Sequence, residues 1–345
     1  MMDLNICMAS DDNYAMHLGI CMVSILENNS DNFINMHILN NDISEINLNS
    51  LKSLEGKYSN LKLNFYDINN YFKKNDINDL IRNELENNDF YNLLGISAFS
   101  RLFLEDILPL DIHKVLYLDA DTLVLNNLAE LFETDLEDNY IAGVVDVMAN
   151  ITKYFYKKDK KSTPFVNSGV LMINLDKWRE IRFADLSIDL IKQYPDKNFL
   201  HDQNIINIIC QGHVKLLNPK FNVMSEFFYV DYRKNLKING YFGSTEKFNS
   251  LNQVTDAMKN PTIVHFISQI WDRPWVSQIG IFNHTPKNPY NKCYDYYKDK
   301  SPWNNQEIQK NTKSSSEKIY YETIRFIMIN FPARLLALLH HVKNR

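Results

Sequence analysis

Residues 114–122 read Lys-Val-Leu-Tyr-Leu-Asp-Ala-Asp-Thr, KVLYLDADT. After the leading lysine, four apolar residues suit a strand covered on both faces. The run stops at two aspartates separated by one alanine. An extended chain projects positions i and i+2 to the same side, so Asp119 and Asp121 are expected to converge. Carboxylates placed this way suit a hard divalent cation, Mn²⁺ or Mg²⁺. Such an ion can bridge the two phosphates of a nucleotide diphosphate and offset charge on a departing group. The carboxyl end of a strand is also where open α/β sheets place their sites. By spacing alone, the triplet is equally compatible with a solvated turn.

Working outward, short apolar strands alternate with helices about a dozen residues long. Residues 4–9, 33–39 and 61–66 read as strands, and 14–26 as an apolar helix after the polar turn Ser10-Asp11-Asp12-Asn13. Residues 97–108 carry helical periodicity up to Pro109, which cannot continue a helix without losing a backbone hydrogen bond. Further strands are expected at 144–147 and 170–174, and helices at 175–194 and 203–209. The lysine-rich stretch 154–163 reads as an exposed loop. This alternation predicts βαβ units on a mainly parallel sheet. From Gly212 onward the pattern is irregular. The asparagine-rich stretch 68–88 keeps enough apolar residues to be read as folded. A hydrophilic linker, 304–318, separates a body at 1–303 from a basic, amphipathic, helical tail at 319–345.

The bulk properties narrow the classes. The chain has 345 residues, 45% hydrophobic and 23% charged, which supplies a sizeable core. A net charge of −5 argues against a nucleic-acid partner. The four cysteines are too scattered for a zinc knot or a disulfide framework. The start of the chain lacks the basic and long apolar segments of a signal peptide, and no run reaches the roughly 18 apolar residues of a spanning helix. The expectation is a cytoplasmic protein.

Several motifs in order give a more specific reading. FSRLFLEDILP (99–109), followed by KVLYLDADTLVLNNLAELF (114–132), resembles the bacterial members of retaining glycosyltransferase family 8, which includes lipopolysaccharide galactosyltransferases and glycogenin. The resemblance covers roughly residues 3–303. It implies a GT-A fold, meaning a Rossmann-like, mostly parallel mixed sheet flanked by helices, here with a C-terminal helical extension. It also implies a UDP-sugar donor (UDP-galactose or UDP-glucose) and bound Mn²⁺, with Mg²⁺ as the alternative ion. Asp119 and Asp121 fall on the family's metal-binding positions, with Ala120 between them facing the donor.

The same resemblance extends to other segments. ICMASDDNYAMHLGICMVSIL (6–26) looks like the family's first strand and nucleotide loop, so Ala9, Asp11, Asp12, Asn13 and Tyr14 match positions around uracil and ribose. Chemically, an aspartate can accept from uracil N3–H and a tyrosine can stack on the base; by composition alone the string is first a turn. No Gly-rich dinucleotide fingerprint follows the strand, which argues against hydride transfer. Arg101 matches the family's arginine before the metal strand, and its fork of donors can engage a carboxylate or the donor's phosphates and hydroxyls. Asn167, in Asn167-Ser168-Gly169, and Asp146 match positions near the sugars. Gly169 permits a close backbone approach or simply forms a strand-entry turn. In His201-Asp202-Gln203-Asn204, Asp202 matches a sugar-binding position and Gln203 one beside the anomeric centre. A glutamine is a poor nucleophile and no base, so its expected contribution is positioning.

His265 begins the last motif and matches the third metal ligand. The sequence departs from the family here. HFISQIWDRPW (265–275) lacks the usual glycine, and Arg273 stands where a diphosphate-binding lysine is expected. Gly95 stands near a place often held by histidine. A histidine after apolar residues is otherwise a common packed strand-end residue. The implied activity is transfer of a hexose, with retention, to a carbohydrate acceptor such as lipopolysaccharide or another bacterial surface glycan or glycolipid. A non-catalytic sugar-nucleotide or glycan-binding protein is the alternative. Residues 319–345 combine aromatic and aliphatic side chains with Arg325, Arg334, Lys343 and Arg345 against a single acid, Glu322. Pro332 is expected to divide the tail into two helices. Such a segment suits an anionic membrane surface, which would place the protein peripherally at the inner face of the cell membrane.

Overall fold

The computed structural model describes residues 1–85, 96–146, 164–193, 201–229, 250–267, 273–276, 288–308 and 314–330. The expected loop at 154–163, Gly95, and Pro332 with the basic residues beyond it lie outside them. The chain divides into two compact units: residues 1–120, 127–143 and 166–215, and residues 121–126, 144–165 and 216–345.

The first unit is built on a seven-stranded sheet in the order β3-β2-β1-β4-β7-β6-β8. Its strands are β1 (Asp3–Asp11), β2 (Phe33–Asn41), β3 (Leu61–Asp67), β4 (Lys114–Leu118), β6 (Ile141–Val145), β7 (Val166–Asn174) and β8 (Val214–Leu216). β1 pairs in parallel with both β2 and β4, while β7 runs antiparallel to β4. The chain therefore leaves β1 to one side for β2 and β3 and returns on the other side for β4. That reversal leaves the carboxyl ends of β1 and β4 adjacent, the position where open α/β sheets bind ligands. This is the GT-A architecture that the motifs imply.

Burial explains why β4 sits at the centre. Leu116, Tyr117 and Leu118 are at most 1% exposed, and each such side chain stabilises by about 1.5–3 kcal/mol. The Ala15–Asn28 helix is buried from His17 through Leu26, so it behaves as a core helix and not as an amphipathic one. In β6, a Cβ added to Gly143 would lie 3.0 Å from both Leu171 Cδ2 and Val166 Cβ of β7. Glycine is what lets these strands approach.

Two helical expectations change. Residues 96–103 form a 3-10 helix that passes into the short α-helix Leu104–Ile107, so the 97–108 segment is helical but tighter at its start. The expected helix at 175–194 is two helices, Leu175–Ile181 and Phe183–Gln193. Arg182 adopts a left-handed conformation between them (φ 56°). Trp178 and Phe183 stack across the break with ring centroids 3.7 Å apart, and Glu105 accepts from the Phe183 and Ala184 N–H groups that begin the second helix. Arg179 donates to the carbonyls of Glu105, Leu108, Pro109, Leu110 and Ile112. One side chain thus satisfies the polar backbone of the loop that enters β4.

Asparagines are structural staples here. Asn29 accepts from Leu128 N–H, Asn60 donates to the Asn29 and Asn32 carbonyls, and Asn127 accepts from Ala129 N–H. The short amide side chain supplies donor and acceptor to loop backbone that has no ladder partner.

The second unit holds a three-stranded sheet in the order β5-β10-β9, made of β5 (Thr122–Val124), β9 (Val223–Met224) and β10 (Ile263–His265). β10 is antiparallel to β5 and parallel to β9. The unit also contains the helices Leu251–Lys259, capped by a Ser250–Gln253 capping box, and Asn291–Asp299. Its last described element is the helix Ser315–Asn330, which begins within the stretch read as a linker. Among the described residues, no helix is long and apolar enough to cross a membrane.

Candidate active site

In the first unit, the site assembles around Arg101. This arginine is only 6% exposed. It pairs with Asp119 at 2.8 Å and with Asp202 at 3.2 Å, and donates to the carbonyls of Ala98 and Ser168. Its Cζ lies 4.4 Å from the centroid of the buried Tyr117 ring. Burial opposes the charge on Arg101, but Asp119 and Asp202 more than offset it and raise the group's pKa. Of the partners expected for this arginine, the structure supplies the carboxylates. For Asp202, burial alone would raise the carboxyl; Arg101, His201 and the Ser168 hydroxyl hold it below the usual range instead.

Ser168 links this charge cluster to Gln203. The Ser168 hydroxyl donates to Asp202 at 3.1 Å, and its backbone N–H donates to Gln203 Oε1 at 3.0 Å. Asn167 Nδ2 donates to the same oxygen at 3.1 Å. A backbone N–H is only a donor, so the Gln203 amide is fixed with its carbonyl toward β7. The sequence reading singled out Asn167, Asp202 and Gln203 but assigned Ser168 and Tyr117 no role. Serine hydroxyls and strand tyrosines carry no spacing signal of their own.

Asp119 and Asp121 do not lie on a continuous strand. β4 ends at Leu118, Ala120 and Asp121 form a turn, and β5 begins at Thr122. The turn, and not strand alternation, separates the two carboxylates' neighbours. Asp121 belongs to the second unit, where His265 Nε2 lies 3.0 Å from its Oδ1 and Arg273 Nη2 lies 3.3 Å from its Oδ2. Burial would raise the Asp121 carboxyl, but His265 and Arg273 hold it below the ordinary carboxylate value. Arg273 also lies over the Trp275 ring, 5.7 Å from its centroid. Asp121 and His265 each offer one ligand atom, 3.0 Å apart, and Asp119 offers a second carboxylate two residues earlier in the chain. Two carboxylate oxygens and one imidazole nitrogen are a donor set that fits Mn²⁺, and Mg²⁺ less closely.

The nucleotide-loop candidates follow β1. Ala9 lies near its end. Asp11 Oδ1 accepts from the Tyr14 N–H, capping the 3-10 turn Asp12–Tyr14. Asp12 Oδ1 accepts from Ser44 N–H and Asn47 Nδ2, each at 2.8 Å, which holds its carboxyl below the usual range. Both aspartates therefore serve the loop's own shape. Asn13 and Tyr14 are exposed, and the Tyr14 ring packs on His17 at 5.1 Å. Asp146 directly follows β6; it is buried, and its N–H donates to the Phe165 carbonyl.

A seven-stranded mixed sheet with acidic residues at the carboxyl end of its central strand is the arrangement expected of a GT-A fold. The sequence profile described as glycosyl transferase family 8 matches residues 5–278, and the chain belongs to that family. It is 30% identical over 226 residues to a putative glycosyltransferase of Haemophilus influenzae, covering 64% of this chain and 63% of that one. It is 29% identical over 238 residues to the lipopolysaccharide 1,2-glucosyltransferase of Escherichia coli, covering 65% of this chain and 64% of that one. General stress protein A of Bacillus subtilis is 25% identical over 315 residues, covering 87% and 95%. The match thus spans just under two thirds of the first two relatives and nearly all of the third. Among solved structures, the galactosyltransferase LgtC in complex with donor and acceptor sugar analogues superposes with a TM-score of 0.64. It is 22% identical, over 92% of this chain and 98% of that one, a likeness of fold.

Proposed function

We propose that this chain is a retaining glycosyltransferase that moves galactose or glucose from a UDP-sugar to a carbohydrate acceptor, such as lipopolysaccharide or another bacterial surface glycan. The observation that carries this reading is the pairing of Asp121 with His265 at 3.0 Å, with Asp119 two residues before Asp121 along the chain, in a member of this family. These three residues hold the divalent cation, Mn²⁺ by preference; when bound, it offsets charge on the departing diphosphate. Arg273 sits beside Asp121 and offers its guanidinium fork to the same phosphates. The Asp11–Tyr14 loop receives uracil and ribose, with Tyr14 against the base and Ala9 and Asn13 alongside.

Asp202, Asn167 and Asp146 meet the sugar hydroxyls, and Gln203 sits beside the anomeric carbon. Arg101 sets the direction of Asp119 and Asp202, and Ser168 that of Asp202 and Gln203. Asp119 and Asp121 are committed to the cation and Asp202 to Arg101, so Asp146 is the carboxylate left for a double displacement. We prefer a front-face displacement, which a covalent sugar–enzyme adduct trapped during wild-type turnover would refute. In that step the acceptor oxygen bonds to the anomeric carbon as the bond to the β-phosphate breaks. The acceptor's proton passes to the departing phosphate oxygen.

The C-terminal segment rests this enzyme on an anionic membrane at its inner face. In support, Ile319, Tyr320 and Phe326 are exposed on the Ser315–Asn330 helix and the sequence beyond it is basic. The test is to incubate the protein with Mn²⁺, a panel of UDP-sugars and candidate glycans, and to analyse products by mass spectrometry. Transfer from UDP-galactose or UDP-glucose supports the proposal. Tight donor binding without turnover would instead make the chain a sugar-nucleotide-binding protein.

A further inference from the structure

The small sheet of the second unit fixes His265 from three directions. Its backbone pairs with Thr122 of β5 on one side and with Met224 of β9 on the other. Its carbonyl accepts from the Ser225 N–H at 3.0 Å. This register puts the residue preceding each flanking strand, Asp121 before β5 and Asn222 before β9, against the imidazole. Asp121 lies at Nε2, and Asn222 Oδ1 lies 3.2 Å from Nδ1. Asn222 is 0% exposed and His265 only 2%. Asn222 is itself held, its N–H donating to the Pro219 carbonyl at the end of the Pro219–Phe221 turn. That bond holds the main chain, and complete burial confines the carboxamide against the ring.

A histidine can give a metal only a nitrogen that carries no proton, and the hydrogen bond at the other nitrogen decides which one that is. We infer that Asn222 is a positioning residue for the cation site: its amide oxygen accepts the Nδ1–H of His265, fixing the ring's direction and leaving the Nε2 lone pair for the metal. The inference rests on the metal-binding reading given above. Asn222 touches neither donor nor cation in this account. It acts through His265, and the short strands β9 and β10 are what deliver it.

The test is Mn²⁺ affinity of the full chain, followed by electron paramagnetic resonance of the free ion. Asn222→Leu removes the acceptor at similar volume, and loss of such an outer partner weakens metal binding by about 10–100-fold. Asn222→Asp keeps an acceptor and is expected to bind Mn²⁺ at least as tightly as wild type. In a His265→Ala background, Asn222→Leu is expected to add no further loss, because its effect passes through the ring. An equal loss in both backgrounds, or unchanged affinity in Asn222→Leu, overturns the inference while leaving the metal reading intact. Wild-type protein that takes up no Mn²⁺ overturns both. Should the variants fold poorly, nitrogen-15 spectra of wild-type protein loaded with diamagnetic Cd²⁺ decide the matter. A ring proton on Nδ1 supports the assignment, and one on Nε2 refutes it.

Discussion

Replacing Arg101 with methionine keeps much of the side chain's volume and removes its charge and five donors. In the folded protein this leaves Asp202 (5% exposed side chain) and Asp119 (26%) without the cation that faces them at 3.2 and 2.8 Å. The carbonyls of Ala98 and Ser168 lose their donors as well. Removing one partner of a buried ion pair costs about 3–5 kcal/mol, because the remaining charge stays buried and uncompensated. Set against a total stability of about 5–15 kcal/mol, this is a large fraction. At about 2–4 °C per kcal/mol for a domain of 150–250 residues, the expected drop in Tm is on the order of 10 °C. Arg101→Lys retains the charge without the fork, and its loss should fall between the two. Urea denaturation of wild type and both variants measures the differences directly. A cost below about 1 kcal/mol for Arg101→Met, or no difference between the lysine and methionine variants, would refute the reasoning that Arg101 is the electrostatic centre of the first unit.

Other consequences follow from the same contacts. The carboxyls of Asp121 and Asp202 have folded pKa values below their ordinary 3.8. Their contribution to stability is therefore complete above that value and is lost as pH falls through the lower folded values; acid titration of stability should show this, with a shallower acid limb in Arg101→Met. Asp119→Asn, Asp121→Asn and His265→Ala should each lower turnover by about 100-fold or more, since the cation supplies several kcal/mol at the departing group. Circular dichroism should show all three folded, and excess Mn²⁺ should partly rescue His265→Ala. Calorimetric titration in Mn²⁺ should show UDP binding more tightly than GDP, because a mismatched base edge carries a desolvation cost; equal or tighter GDP binding refutes the nucleotide assignment. The full chain should sediment with anionic vesicles in a salt-sensitive way and lose this on truncation after Ile308, while keeping catalysis on soluble acceptors. Equal vesicle binding by the truncated chain refutes the membrane proposal.

The sheet was legible in the sequence where apolar residues run together, as in β1, β2 and β4, or alternate with polar ones, as in β3. β1, β2, β3 and β4 fall where the hydrophobic runs lie, and β4 has the expected bounds. The segment 175–194 shows a limit of that signal. Its helical periodicity continues through Arg182, and the break is imposed by the local Trp178–Phe183 stack together with the Glu105 cap, a long-range contact that a helical period does not show. The small sheet was not legible because its strands have two or three residues, too few for a period to show. That explains why Asn222 went unread while His265 was found through a motif. The Asp-Ala-Asp triplet follows the end of β4, but an extended-strand argument does not describe it; the turn at Ala120 does. Arg101 was read as a candidate for a carboxylate or for the donor's phosphates and hydroxyls; its pairs with Asp119 and Asp202 are what the distances show.

The central claim, metal-dependent sugar transfer, is tested most directly by one comparison of rates. Purified wild-type protein is stripped rigorously of divalent ions, supplied with UDP-galactose or UDP-glucose and an accepted glycan, and assayed before and after Mn²⁺ is restored. Proton NMR of the product reads both the rate and the anomeric configuration. The account predicts negligible transfer by the stripped protein, recovery with Mn²⁺, and an α-linked product matching the donor's configuration. Full-rate transfer without metal, or inversion at the anomeric carbon, would contradict it.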